Sequence, residues 1–184
     1  LHSIIKILET RKPHMANYHL SGKIFSRAKG HSAIAAASYR AGEKLHDEQL
    51  DLDYDYTRKQ QILETEIMAP DNAPNWVYDR EQLWNKAENC EKRKDAQVAR
   101  EIEISLPREL DFEKQKSLVR EFVQQEFISQ GMVADVSYHT SNSNDGGENP
   151  HAHILLTMRA IEEADFATKK NRDWNKKETL IGWR

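Results

Sequence analysis

The chain has 184 residues, 38% of them hydrophobic and 31% charged, which suits one domain of ordinary size that folds unaided. Its formal charge of −3 excludes a global basic field of the kind that binds nucleic acid indiscriminately, so any such site must be local. The single cysteine, Cys90, excludes an internal disulfide or thiolate cluster and favours a reducing compartment. No apolar run approaches the roughly 20 residues of a membrane span, and Ile4-Ile5-Lys6-Ile7-Leu8 is too short for a signal-peptide core, which points to the cytoplasm without membrane insertion.

Residues 1–14 differ in character from the chain beyond Met15 and read as an N-terminal extension or expression remnant, leaving 15–184 as the domain. Tyr18-His19-Leu20 opens a strand running toward Ile24-Phe25. Gly30-His31-Ser32 then introduces an Ala-rich helix from Ala33 to Leu45 with Ser32 as N-cap. An acidic, Asp- and Tyr-rich loop comes next, and Gln61 to Met68 reads as a strand closed by Pro70-Asp71-Asn72-Ala73-Pro74. The second helix is expected over Asp79 to Lys94, with Cys90 inert within it. From Gln97 to Pro107 polar and apolar residues alternate, predicting a strand with one wet face and with Ile102, Ile104 and Leu106 turned to the core. Phe112, Leu118, Val119, Phe122, Val123, Phe127 and Ile128 recur at helical spacing, with Gly131 as C-cap, so these aromatics are core rather than a stacking surface. Met132 to Tyr138 is a strand ending at His139, and another runs from His151 through Ile154-Leu155-Leu156. The polar, basic segment from Ala160 to Arg184 carries Trp174 and Trp183 and has no stop signal, as if it led into something longer.

This order predicts an α+β fold, a mainly antiparallel sheet with its helices on one face and the other face open for a site. Charge is segregated along it. Residues 1–44 hold Lys6, Arg11, Lys12, Lys23, Arg27, Lys29, Arg40 and Lys44 against only Glu9 and Glu43, whereas 47–55 holds five acids and no base. The early segment is therefore the basic face.

Gly146-Gly147-Glu148-Asn149-Pro150-His151-Ala152-His153 carries the strongest chemical signal. Side chains alternate along a strand, so His151 and His153 project from one face, and a hairpin through 140–150 returns His139 beside them. Three neutral imidazoles would leave a divalent ion with open positions, as catalysis requires. A chance cluster remains open in a chain with eight histidines. A calcium loop over Ser141-Asn142-Ser143-Asn144-Asp145-Gly146 fails, because Ala152 stands where the bidentate Glu belongs. Glu101 and Glu103 share a strand face; each is either a solvated edge residue or a carboxylate that holds an imidazole N–H and fixes its tautomer.

Met15-Ala16-Asn17-Tyr18-His19-Leu20, Ser32-Ala33-Ile34-Ala35-Ala36-Ala37-Ser38-Tyr39, Gln97-Val98-Ala99-Arg100-Glu101-Ile102-Glu103 and Gly147-Glu148-Asn149-Pro150-His151-Ala152-His153, taken in that order, resemble the MobA/MobL family of plasmid relaxases. The similarity runs from about Met15 to the C-terminus, through Arg172-Asp173-Trp174-Asn175, and Ala152 replaces the family's bulky hydrophobe between the histidines. The resemblance implies a His-hydrophobe-His endonuclease that nicks one strand at a plasmid transfer origin, becomes joined to the 5′ phosphate through tyrosine, and later rejoins the strand. It implies Tyr39 as nucleophile and His139, His151 and His153 as ligands of Mn²⁺ or Mg²⁺. Plasmid DNA, accessory relaxosome proteins and a type IV secretion coupling protein are the implied partners.

Chemistry is consistent with choosing Tyr39 among six tyrosines. Tyr54 and Tyr56 lie in an acidic run, Tyr138 points away from its neighbouring ligand, and Tyr39 has Arg40 beside it with small neighbours that admit a DNA backbone. A phenol of pKa near 10 needs help to lose its proton, for which water, Glu101 and Glu103 are the candidates. Lys23, Arg27, Lys29, His31, Arg40 and Lys44 are the expected phosphate contacts. A rolling-circle initiator or transposase of the same class, or a non-catalytic origin-binding module, are the alternatives; the early position of Tyr39, before the histidines, argues against the first.

Overall fold

The computed structural model of the chain describes residues 19–142 and 146–175. The expected extension 1–14, the strand start at Tyr18, residues 143–145 of the rejected calcium loop and Trp183 lie outside the described residues. Among the described residues seven strands and three α-helices run β1 (Leu20–Ser26), α1 (Ala33–Ala41), β2 (Lys44–Asp47), β3 (Leu52–Asp55), β4 (Ile62–Met68), α2 (Arg80–Asn89), β5 (Gln97–Ser105), α3 (Phe112–Glu126), β6 (Ala134–His139) and β7 (His151–Leu156). Five strands form one sheet in the order β1-β5-β7-β6-β4, every neighbouring pair antiparallel. β2 and β3 make a separate hairpin.

The α+β, antiparallel expectation holds, but the helices do not keep to one face. α3 packs Val119, Phe122 and Val123 against Ile102, Ile104, Val136, Tyr138, Ala152, Ile154 and Leu156. α1 and α2 bring Ile34, Ala37, Leu83 and Trp84 against Phe25, Ala99 and Leu155 on the opposite face. β5 accordingly has no wet face: Arg100 is 0% and Glu101 4% exposed. At Glu101 the charge in that alternation meets Arg40 and His153 inside the fold rather than solvent, a distinction hydropathy alone does not make. Among the described residues no helix is long and apolar enough to cross a membrane.

Local chemistry explains where the elements stop. Ser32 caps α1 by accepting from the Ala35 N–H at 3.2 Å, as expected. The helix ends at Ala41 rather than Leu45 because Gly42 takes φ 66° and donates to the Ser38 carbonyl; only glycine adopts that conformation at little cost. The acidic segment beyond it is the β2–β3 hairpin rather than a loop, with Lys44 at 2.7 Å and His46 at 2.8 Å meeting Asp53 across the strands. α2 starts where expected, with Asp79 as its cap, but stops at Asn89 rather than Lys94, where the Arg27 guanidinium donates to the carbonyls of Glu88 and Glu91. A cation on the exposed carbonyls of a helix end stabilises the stop. Beneath the α2 start, Asp135 accepts two bonds from Arg80 and one from the Trp84 indole, each 2.9 Å.

Candidate active site

β6 and β7 pair so that His139 lies directly across from His151 and Ser137 across from His153. With the two-residue alternation of strand side chains, all three imidazoles rise from the sheet face that α1 and α2 cover. Ring centroids are 5.6 Å (139–151), 4.8 Å (139–153) and 5.1 Å (151–153) apart. Among the described residues these three are the group that could hold a metal ion, one ring nitrogen from each lying within 4.8 Å of the others.

Such a triangle has a centre no more than about 2.8 Å from any corner, so small ring rotations reach the roughly 2.1 Å of a metal–imidazole bond. The tautomers suit it as well. His139 Nε2 donates to the Arg40 carbonyl at 2.7 Å, His151 Nδ1 to the Asn149 carbonyl at 2.9 Å, and His153 Nδ1 to Glu101 Oε1 at 3.1 Å. Each acceptor lacks a hydrogen, so each ring carries its proton there and leaves its second nitrogen as a lone-pair donor. Burial, with Lys59 and the neighbouring rings, pushes His139 down to about 3; burial also lowers His151. These two imidazoles are neutral at pH 7 and need lose no proton to bind a cation.

Of the two expected carboxylates, Glu101 is buried and receives both His153 and the fork of Arg40, whose Nε and Nη2 reach separate oxygens. Burial raises its pKa, but these bonds outweigh it and hold the group to about 2. Glu103 sits at the rim, its Oε2 3.6 Å from His153 Nδ1.

Tyr39 lies in the last turn of α1 and is 43% exposed. Its neighbour Arg40 supplies the carbonyl that His139 bonds, so the backbone of the helix end rests on the triad. The Tyr39 ring has the Lys59 ammonium 3.8 Å from its centroid and Tyr56 edge-on at 5.1 Å. The acidic run that kept Tyr56 apart from the site in sequence terms folds back and delivers it there. Neither Lys59 nor Tyr56 was expected; the one hint is that Arg58-Lys59 ends the acidic stretch.

The six expected phosphate contacts separate. Lys23, across from Glu101 on β1, and Lys29 are exposed. His31 Nδ1 accepts from the Ser26 N–H at 3.2 Å, and burial, with Lys23 and Lys29, lowers its pKa. Arg27 is held by Glu88, Arg40 by Glu101 and Lys44 by Asp53. Contact with DNA through Arg27 or Arg40 would require giving up an ion pair to a buried carboxylate, whereas the Lys44–Asp53 pair is itself exposed.

A profile of the MobA/MobL family matches residues 31–183. The chain is 43% identical over 166 residues to the conjugal transfer protein TraA of Rhizobium radiobacter, covering 85% of this chain and 15% of that protein. It is 40% identical over 177 residues to the mobilization protein MobL of Acidithiobacillus ferridurans, covering 85% and 46%. A solved structure from work on the molecular basis of vancomycin resistance transfer in Staphylococcus aureus superposes with a TM-score of 0.82 at 38% identity, covering 92% of this chain and 87% of the other.

Proposed function

The chain belongs to the MobA/MobL family, and from that premise we propose that it is the DNA-nicking domain of a plasmid mobilisation relaxase acting in the cytoplasm at a transfer origin. The observation that carries this reading is the triad itself: three imidazoles on one sheet face, each with one N–H fixed by an oxygen, resting against the helix turn that bears Tyr39.

In the proposed reaction the Tyr39 oxygen attacks the scissile phosphorus, the P–O bond to the 3′ oxygen breaks, and a 5′-phosphotyrosyl link forms with the 3′ hydroxyl released. The reverse attack by that hydroxyl reseals the strand. His139, His151 and His153 would hold the divalent ion, Mn²⁺ or Mg²⁺, which when bound offsets charge on the non-bridging oxygens. Glu101, ionised and locked between His153 and Arg40, is poorly suited to take the phenolic proton and serves to orient His153. Glu103 at the rim is the carboxylate left for proton exchange with water. Lys23 and Lys29, both exposed, are the residues best placed to meet DNA phosphates on the basic side. Accessory relaxosome proteins and a secretion coupling protein would be its partners.

The test is incubation of the chain with supercoiled plasmid carrying its transfer origin, with Mn²⁺, Mg²⁺ or chelator. Metal-dependent open circles with protein on the 5′ end, absent for Tyr39→Phe, are the expected result. Adduct from Tyr39→Phe would move the nucleophile elsewhere, and binding with no nick under any metal would make the chain an origin-binding module.

A further inference from the structure

A tyrosine at an exposed helix turn ordinarily samples several rotamers, whereas in-line attack needs the phenol held within a narrow range. The loop at 56–61 is built to restrict it. Its start is tied to the end of α1 by the Tyr56 N–H on the Glu43 carbonyl at 3.3 Å, and its turn is closed by the Lys59 N–H on the Tyr56 carbonyl at 2.9 Å. Its far end is tied to the residue after His139, where Thr140 N–H donates to the Gln61 carbonyl at 3.0 Å. Gln61 holds φ 70°, a left-handed backbone that a side-chain-bearing residue keeps only under constraint from its surroundings.

From this loop Lys59 reaches Tyr39 twice: Nζ lies 3.8 Å from the ring centroid and donates to the Tyr39 carbonyl at 2.8 Å. Tyr56 meets the ring edge-on with planes at 90°, and the Arg40 guanidinium carbon lies 5.2 Å from the same ring. Burial and Arg40, partly opposed by Glu101, push the Lys59 ammonium down to about 8, as befits a cation drawn out of water into this cluster.

We propose that Lys59 is the positioning residue for Tyr39, an ammonium fixed by a loop anchored to both α1 and β6 that covers one face of the phenol ring and bonds its backbone, while Tyr56 closes the edge. This rests on Tyr39 being the nucleophile. It makes the loop after the acidic hairpin part of the site, although that loop contributes no metal ligand.

The experiment compares wild type, Lys59→Met, Lys59→Arg and Tyr56→Leu. Single-turnover adduct formation on an origin oligonucleotide is measured beside its dissociation constant over a salt series. Lys59→Met is expected to slow the adduct step about tenfold, the range of a partly desolvated cation–π contact, with the dissociation constant and its salt slope unchanged. Lys59→Arg should recover most of the rate, since it restores a cation over the ring, and Tyr56→Leu should slow the step less than Lys59→Met. A salt slope shallower by about 0.7 in Lys59→Met would mean that Lys59 contacts a phosphate and overturns the proposal, as would an unchanged rate or a Lys59→Arg as slow as Lys59→Met. Thermal melts accompany each variant; if Lys59→Met melts early, Lys59→Gln, which can still donate to the Tyr39 carbonyl without charge, takes its place. Tyr39→Phe in the same series separates the two claims. Adduct from Tyr39→Phe removes the nucleophile assignment, whereas its loss beside a normal Lys59→Met removes only the positioning role.

Discussion

Arg40→Met distinguishes a structural cation from a DNA-binding one. In the folded chain Arg40 supplies two donors to Glu101, whose side chain is 5% exposed, and is itself 20% exposed. Removing one partner of a buried pair leaves the other charge uncompensated, at a cost of about 3–5 kcal/mol for fully buried pairs. Partial exposure of the guanidinium and the remaining bond from His153 place the expected loss near the lower end, about 3 kcal/mol. For a domain of this size that is a melting temperature lower by about 6–12 °C. Urea and thermal melts of wild type, Arg40→Met, Glu101→Gln and the double variant form the cycle; because both single changes break one interaction, the double variant should lose less than their sum. DNA affinity at a temperature where all four are folded should change little. Stability within about 0.5 kcal/mol of wild type, combined with a weaker and less salt-dependent DNA complex, would refute the reasoning and return Arg40 to the phosphate contacts.

His151→Ala should weaken Mn²⁺ binding by more than tenfold in calorimetry and depress nicking in parallel; full activity would leave the triad a packing feature. Metal-free stability should fall on acidification: His139 sits at about 3 in the fold, against about 6.5 in the unfolded chain. Below about 6.5 the unfolded state therefore takes a proton that the folded state refuses, which amounts to about 2 kcal/mol by pH 5. Glu101, at about 2, adds to the loss only below about 4.5, so a melting temperature flat from pH 7 to 5 would contradict the neutral, buried His139. Gly42→Ala should cost about 1–3 kcal/mol in urea melts, because φ is +66° and a Cβ would stand 2.5 Å from Ile62 Cδ1. Lys23→Ala should weaken origin binding modestly and reduce its salt slope by about 0.7; an unchanged slope would place the strand elsewhere.

What could be read from the chain depended on how local the cause was. The Ser32 cap, the apolar stripe of α3 and the pairing of His151 with His153 arise from neighbours within a few residues, and all three appear as expected. His139 needed only one hairpin. The end of α1 at Gly42 was readable from the glycine but was overridden by the run of helix-forming residues to Leu45. The fates of Arg27 and Arg40, by contrast, depend on carboxylates 61 residues away in each case, and the arrival of Lys59 over Tyr39 depends on the β2–β3 hairpin turning the chain back. No periodicity encodes such contacts, so the basic face inferred from composition contains residues whose charge is already matched inside the fold.

The opposition of His139 to His151 across the hairpin also determines how the protein fails. Sliding β7 by one position would turn His151 and His153 into the oily layer beneath α3 and drive Ala152 and Ile154 toward the phenol. A misaligned molecule would then keep His139 on its own face of β6 and lose the other two ligands at once. Specific activity in a preparation of this chain should accordingly count correctly zipped molecules, with no half-working population to blur the tally.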